Sequence, residues 1–499
     1  MHYGCVYAGT TEWPPRSLAD RANVGYPLGV TVAALAAIAL GLLVGQRPMV
    51  AVALAGLALI FALPFAAPTA HLALLVFVTA VVPFSVQNGL GGGAGTASVL
   101  PSDLLLISGL LRAAVVLPRQ PLDRRRMTMA FLIVVFLVLA SLQFVHGLSA
   151  GADLSTVGFE YRVLLGFGTF LVAVPVLADE RARRRLLGAL LFIGLAVGLW
   201  GVLQYVVSLG FVTSSDAGVR AGVRFTSTGR GQVQGGLFAF PLATTIAFAV
   251  LVSGQVRGAS VRAALLAVVG LNVIAMLLTY ERTFWVATTL ALAFVALKAG
   301  RLQRAKAVLI GFGAIVLTLA TLATVAPREF TAARERLLSL GQYASDSSVR
   351  QRIVESRHVL DQIAAHPIIG AGLGASIWWG RPWENVAPRS NTYAHNGYLW
   401  LAWKLGLPAA ILLSALLVSA VMRRGPPSGG PLFHAVRNGA QAGLLVLLLA
   451  MVTFPSVNSL SITPTIGLLL AICVAPQARI AAPRSRALAG ELAPVRAAA

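Results

Sequence analysis

The chain is short of most of what a soluble enzyme or a metalloprotein needs. Among 499 residues there are two cysteines, Cys5 in the N-terminal tail and Cys473 in the last apolar run. Two so far apart make neither a disulfide framework nor a thiolate metal site. Charged residues are scarce at 11%, and acids scarcer still, 17 against 39 lysines and arginines. No His, Cys and Asp cluster has metal-ligand spacing, and no Asp-x-Asp motif of the kind that holds a nucleotide sugar through a metal stands between apolar runs. Neither a metal nor any other cofactor is therefore expected. A 20–50-residue repeat and a soluble domain are both missing. A cleavable leader is not expected either, because residues 1–25 are polar and proline-containing.

What the chain has in excess is apolar sequence, 57% of all residues. That excludes a water-soluble globule. Runs of about 17 to 22 residues, the length that crosses a bilayer, fall near 26–46, 48–66, 69–86, 101–117, 128–147, 157–178, 185–208, 234–253, 263–281, 283–299, 306–326, 396–421, 438–455 and 459–476. The expected fold is all-α: a polytopic transmembrane bundle of 12 to 14 spans in contact with a lipid bilayer. A net charge of +22 would suggest nucleic acid in a soluble protein. Here the arginines flank apolar runs, where they set topology and meet lipid headgroups, and no nucleic-acid partner is expected.

If the spans alternate, Arg16, Arg21, Arg119, Arg124 to Arg126, Arg181 to Arg185, Arg257, Arg262, Lys298 to Lys306, Arg423, Arg424 and Arg437 share one side. The positive-inside rule makes that side cytoplasmic. The expected order is a cytoplasmic tail (1–25), about eleven spans (26–326), an extracytoplasmic loop (327–394), about three spans (395–476) and a disordered cytoplasmic tail (477–499). The membrane would be the cytoplasmic one. Two outside loops keep arginine where topology disfavours it, which points to an anionic ligand. Residues 209–233 carry Arg220, Arg224 and Arg230 with one acid, and 327–394 carry eight arginines against six acids. In the second loop Val349, Ile353, Val359, Leu360 and Ile363 recur at helical spacing, an amphipathic helix that ends where His366 precedes Pro367.

The stretch Asp346 to Gly406 organises the rest. It leaves that loop through His395-Asn396 and reads as running without a break into a spanning helix, with Ala402 and Gly406 as a small-xxx-small face. An ionisable group at the mouth of a membrane helix is costly unless used. Histidine suits a general base, with an ordinary pKa of about 6.5. Arg282, with Glu281, interrupts an almost continuous apolar stretch between two runs. Elsewhere, Lys404 is expected to pair inside the bundle, Glu160 and Arg162 to form a local pair, Asp103 to favour a helix N-terminus, and Gly370 to Gly374 to make a flexible turn.

His395-Asn396, nine residues, then Gly406 resembles the signature of the O-antigen ligase and polysaccharide polymerase superfamily of membrane glycosyltransferases. The run from Ser348 to His366-Pro367-Ile368-Ile369-Gly370-Ala371-Gly372-Leu373-Gly374 resembles the loop segment that precedes it there. Arg282 matches the superfamily's arginine at an outer helix junction, although Glu281 stands where serine is common. Arg224 and Arg230 resemble its arginine-led approach to a helix, with Gln232 and Gln234 where asparagine is usual. Ala409 departs from the residues that continue the signature in some ligases and leaves ligase versus polymerase open.

The resemblance implies a glycan moved from a polyprenyl diphosphate carrier to a hydroxyl of a glycan, lipid-linked glycan or protein acceptor outside the cytoplasmic membrane. On that reading His395 and Arg282 are catalytic, and Arg224, Arg230, Arg352 and Asn396 bind substrate. The alternative from another class is a transporter or flippase of lipid-linked glycans, with arginines lining a pathway.

Overall fold

The computed structural model describes residues 48–82, 87, 99–120, 122–207, 224–225, 231–232, 238–338, 347–381, 386–423 and 430–475. The apolar run at 26–46, both tails and Arg230 lie outside the described residues. The chain divides into two compact units, Met1–Ala62 and Leu63–Ala499. Helix α1 (Pro48–Ala66) crosses the boundary, and all that follows concerns the second unit.

Helices α2 (Pro68–Val81), α3 (Pro101–Val116), α4 (Arg124–Ser149), α5 (Leu154–Leu165), α6 (Thr169–Val176) and α7 (Glu180–Val207) come first. A two-residue hairpin, β1 (Arg224–Phe225) with β2 (Gly231–Gln232), separates them from α8 (Ala239–Ser253), α9 (Ala259–Leu278), α10 (Arg282–Lys298) and α11 (Arg301–Val325). Then come α12 (Pro327–Leu338), α13 (Ser347–Ala365) and the antiparallel strands β3 (Ile377–Arg381) and β4 (Val386–Asn391). Helices α14 (Gly397–Leu405), α15 (Leu407–Val421), α16 (Gly430–Ala450) and α17 (Thr463–Val474) close the described chain.

The boundaries follow local chemistry. Prolines open α2, α3, α15 and α17 in the first turn, where the missing N–H costs nothing. Asp123 and Asp153 cap α4 and α5 by accepting backbone N–H groups. Among the described residues seven helices are long and apolar enough to cross a membrane, and five shorter apolar helices join them. This is the polytopic helical protein that hydropathy predicts. Helix α11 turns most of its apolar side chains outward, with Leu309 72% and Leu317 69% exposed, as a lipid-facing helix does.

The run at 157–178 tightens into a 3-10 turn at Gly166–Gly168 between α5 and α6 but remains one span, Leu154–Val176. One expected span is broken. The run at 396–421 is not one helix, because Gly406 (φ +82, ψ +162) separates α14 from α15. The cause is a backbone contact. A side chain on Gly406 would overlap the carbonyl oxygen of Ile368, and its φ is one that glycine alone adopts without strain. The Leu407 N–H donates to Pro367 O at 2.9 Å and the Ala371 N–H to Trp403 O at 2.7 Å. The 366–374 turn is therefore hydrogen-bonded into the bundle and is not a flexible loop. Gly406, the second small residue of the small-xxx-small spacing, receives this turn.

The same turn meets the C-terminal end of α4. Gln143 donates to Ile369 O at 2.6 Å, and the Leu373 N–H donates to Gln143 O at 3.2 Å. Helix α15 leaves from this end and runs back along α4. At the far end Arg124, Arg125 and Arg423 line one cavity, Arg183 stacks on Phe433, and Lys298 donates to Gln441, whose amide donates to Arg423 O. Arg124, Arg125, Arg183, Lys298 and Arg423 thus share one end, and the His395 segment occupies the other.

Candidate active site

His395 lies just before α14, in the last residues of the extended return from β4, and not on the helix as the sequence suggested. Its Nδ1 is 2.7 Å from Glu355 Oε2, and its backbone N–H donates to the same oxygen at 3.1 Å. Glu355 comes from the middle of α13 and is buried, whereas the imidazole is about a quarter exposed. The carboxylate accepts, so the neutral ring carries its proton on Nδ1 and presents Nε2 as the acceptor. Tyr393 packs edge-on against the ring at 5.1 Å between centroids. The arrangement is a base held by an orienting carboxylate, with one open nitrogen.

Asn396 holds the start of the next helix. Its Oδ1 accepts the Tyr398 and Leu399 N–H groups at 3.0 and 3.1 Å and so caps α14. That role fixes where the helix starts, and with it the position of His395 one residue earlier. The Gly397 N–H then donates to Met451 O at 2.7 Å, just past α16, and the Tyr398 hydroxyl to Leu448 O.

Arg282 arrives at the same end from a distant part of the chain. It is the first residue of α10, after a sharp turn in which Tyr280 adopts φ +55. A left-handed non-glycine residue costs about 1–2 kcal/mol, and such outliers gather where geometry is imposed. The turn is held by the Trp285 indole, which donates back to Met276 O at 3.0 Å. Thr283 bonds Thr453 at 2.7 Å, two residues after the Met451 that receives Gly397. Phe284 forms an aromatic cluster with Phe238 and Phe454. The segment after α16 therefore ties the His395 strand, the Arg282 turn and the start of α8 to one end of the bundle.

Arg352 stands one turn before Glu355 on α13, and its Nε is buried with no hydrogen-bond partner among the described residues. Arg224 lies in β1, paired in register with Gln232. Arg230 lies outside the described residues.

Glu355 is the residue that sequence reading passes over. The buried stripe of α13 is Glu355, Val359 and Ile363 at four-residue steps, while Ile353 and Leu360, assigned to the apolar face, are each 50% exposed. The signal was a carboxylate sharing its phase with Val359 and Ile363. Beneath the site, Glu160 and Arg162 do not pair locally. Glu160 bonds Lys404 at 2.9 Å, with both side chains almost fully buried, and Arg162 bonds Asp103 at 3.1 Å. Glu160 also accepts the Gly374 N–H at 2.7 Å, and Lys404 donates to Ala375 O at 2.5 Å. This pair clamps the glycine-rich turn onto α5 and α14.

No curated protein matches the chain. Residues 265–414 match the family described as O-antigen ligase, so the stretch that holds Arg282, Arg352, Glu355 and His395 is similar to that family, and it lies within a multi-pass helical membrane protein.

Proposed function

We propose that the protein transfers a glycan from a polyprenyl diphosphate carrier to an acceptor hydroxyl, as an O-antigen ligase or polymerase type of enzyme in surface-polysaccharide biosynthesis. The observation that carries this reading is the His395–Glu355 pair, held at the end of the bundle to which Arg282 is also brought. His395 Nε2 takes the proton of the acceptor hydroxyl. The oxygen attacks the anomeric carbon as the bond from that carbon to the diphosphate oxygen breaks, and attack opposite the leaving group inverts the centre. Charge grows on the diphosphate along this path. Preorganised guanidinium groups therefore stabilise the transition state more than the ground state. Arg282 and Arg352, with Arg224 and Arg230 from the preceding loop, supply them, and their forks suit phosphate oxygens. Fixed guanidinium charge serves here in place of a metal.

The site faces outward in this proposal, because Arg124, Arg125, Arg183, Lys298 and Arg423 lie at the opposite end and the positive-inside rule places those in the cytoplasm. The polyprenyl tail lies in the bilayer against the bundle. Donor, direction and chemistry are tested together by incubating the purified protein in detergent with a polyprenyl diphosphate-linked glycan and a lipid-linked acceptor. Transfer is expected to be the same with and without EDTA. Absence of transfer sinks the donor assignment, and EDTA inhibition sinks the metal-free mechanism. A defined single-repeat donor gives one adduct for a ligase and a ladder for a polymerase.

The carboxylate behind the imidazole carries its own prediction. Glu355→Gln keeps the size of the side chain and removes the charge that favours the imidazolium formed when Nε2 is protonated. We expect kcat to fall on the order of a hundredfold with donor KM little changed. A fall in donor affinity with kcat retained would assign Glu355 to substrate binding instead.

A further inference from the structure

The end of the bundle remote from His395 holds a second constellation that the transfer reaction does not use. Between α4 and α15 lies a cavity of about 730 Å3, well within the range of small-molecule sites. Its rim carries Arg124, Arg125 and Arg423, and its wall is formed by Met129, Leu132 and Leu416. Asp123, the carboxylate nearest these arginines in sequence, is already held by Arg126 at 3.0 Å. None of the three rim arginines forms a salt bridge with an acid among the described residues. Burial, and then the neighbouring Arg125, hold the Arg423 guanidinium below its ordinary value, with Asp123 opposing and Arg437 adding to the effect. Like charges are therefore crowded around a cavity whose lining is otherwise apolar apart from Thr128 and Ser419. Helix α4 places this cavity about 34 Å from the Gly147 end that receives the glycine-rich turn, at 1.5 Å per residue.

Guanidinium forks at a rim bind phosphate oxygens, and an apolar wall running toward the bundle centre binds hydrocarbon. A soluble anion would leave the wall empty, and a neutral lipid would leave three cations uncompensated. We propose that this cavity is a binding site for one anionic phospholipid, its phosphate between Arg124, Arg125 and Arg423 and its first acyl carbons along Met129, Leu132 and Leu416. Such a lipid would also tie α4 to α15, the two helices on which the 366–374 turn rests at the other end.

The test measures lipid retention by the purified full chain, delipidated in detergent and examined by native mass spectrometry after addition of phosphatidylglycerol, phosphatidylcholine or polyprenyl monophosphate. One phosphatidylglycerol per chain is expected to survive gentle activation, with at least tenfold less phosphatidylcholine. The Arg124→Gln, Arg125→Gln, Arg423→Gln variant should lose at least tenfold of that retention. The double variant Arg181→Gln, Arg185→Gln, which removes charge at the same end but outside the cavity, should lose none. Ala415→Phe fills the cavity without altering charge and should lower retention comparably, so the proposal stays testable if the triple variant does not fold. Equal retention by the cavity variants and the parent, or equal loss in the Arg181 and Arg185 control, would show diffuse charge attraction and overturn the site. Preferential retention of polyprenyl monophosphate would overturn the assignment to phospholipid.

Discussion

His395→Ala is expected to lower the rate of glycan transfer by about two to four orders of magnitude, the range that a positioned general base contributes. The imidazole is the group at the end of the bundle whose acceptor nitrogen is left open while its other nitrogen is fixed by a buried carboxylate. Without it the acceptor hydroxyl must lose its proton to water as it attacks. The effect should fall on kcat. Donor binding should persist, since the proposed diphosphate contacts come from arginines. Arg282→Ala should instead weaken both the rate and the retention of the donor, because a guanidinium that meets the diphosphate acts before and during bond breaking. Single-turnover transfer and donor binding, measured on both variants beside the parent, check the division. If His395→Ala transfers at the parental rate, the imidazole is not the base and the proposed mechanism fails.

Lys404→Met is expected to destabilise the protein by about 3–5 kcal/mol, the usual consequence of leaving one half of a buried ion pair unneutralised. Lys404 and Glu160 are both buried almost completely and lie 2.9 Å apart. They also hold the backbone at Gly374 and Ala375. The single variant strands the Glu160 carboxylate and frees the turn. The double variant Glu160→Gln, Lys404→Met removes both charges, and it should recover most of the loss in unfolding midpoint, since a neutral pair is often as stable as the ionic one. A single variant as stable as the parent would mean that water reaches the pair and that the clamp contributes little. The double variant should still transfer poorly if the clamp is what positions the segment leading to His395.

Several parts of this picture were readable from residue order because they depend on composition or on short-range chemistry. An apolar run of sufficient length has nowhere to go but lipid or a core, so the helical, multi-pass character was legible from hydropathy. The pairing of Lys404 inside the bundle was legible as well, since an isolated charge in an apolar helix needs a partner. Its partner was not. Glu160 lies 244 positions earlier, and a carboxylate two residues from Arg162 looks like half of a local pair until packing sends each to a different helix. Glu355 escaped for a related reason. On α13 a carboxylate in the buried phase resembles a solvated one unless it is known which side the bundle covers.

The helix break at Gly406 shows the same limit from the backbone side. Hydropathy sees a continuous apolar run from 396 to 421, and Gly406 with Pro408 permit a break there without requiring one. What ends it is the carbonyl of Ile368, brought from the preceding turn to a point where a Cβ would collide. Sequence alone determined that the protein is a many-helix membrane protein with a histidine and an arginine at the ends of apolar runs, because those properties follow from solvation and are additive along the chain. Tertiary structure decided which carboxylate orients the histidine, that Asn396 caps a helix, and that the 366–374 turn is built into the bundle. The cap is local and needed only the helix start to be known, whereas the other two depend on long-range contacts in a medium without water, where a buried polar group is costly unless the fold brings it a partner.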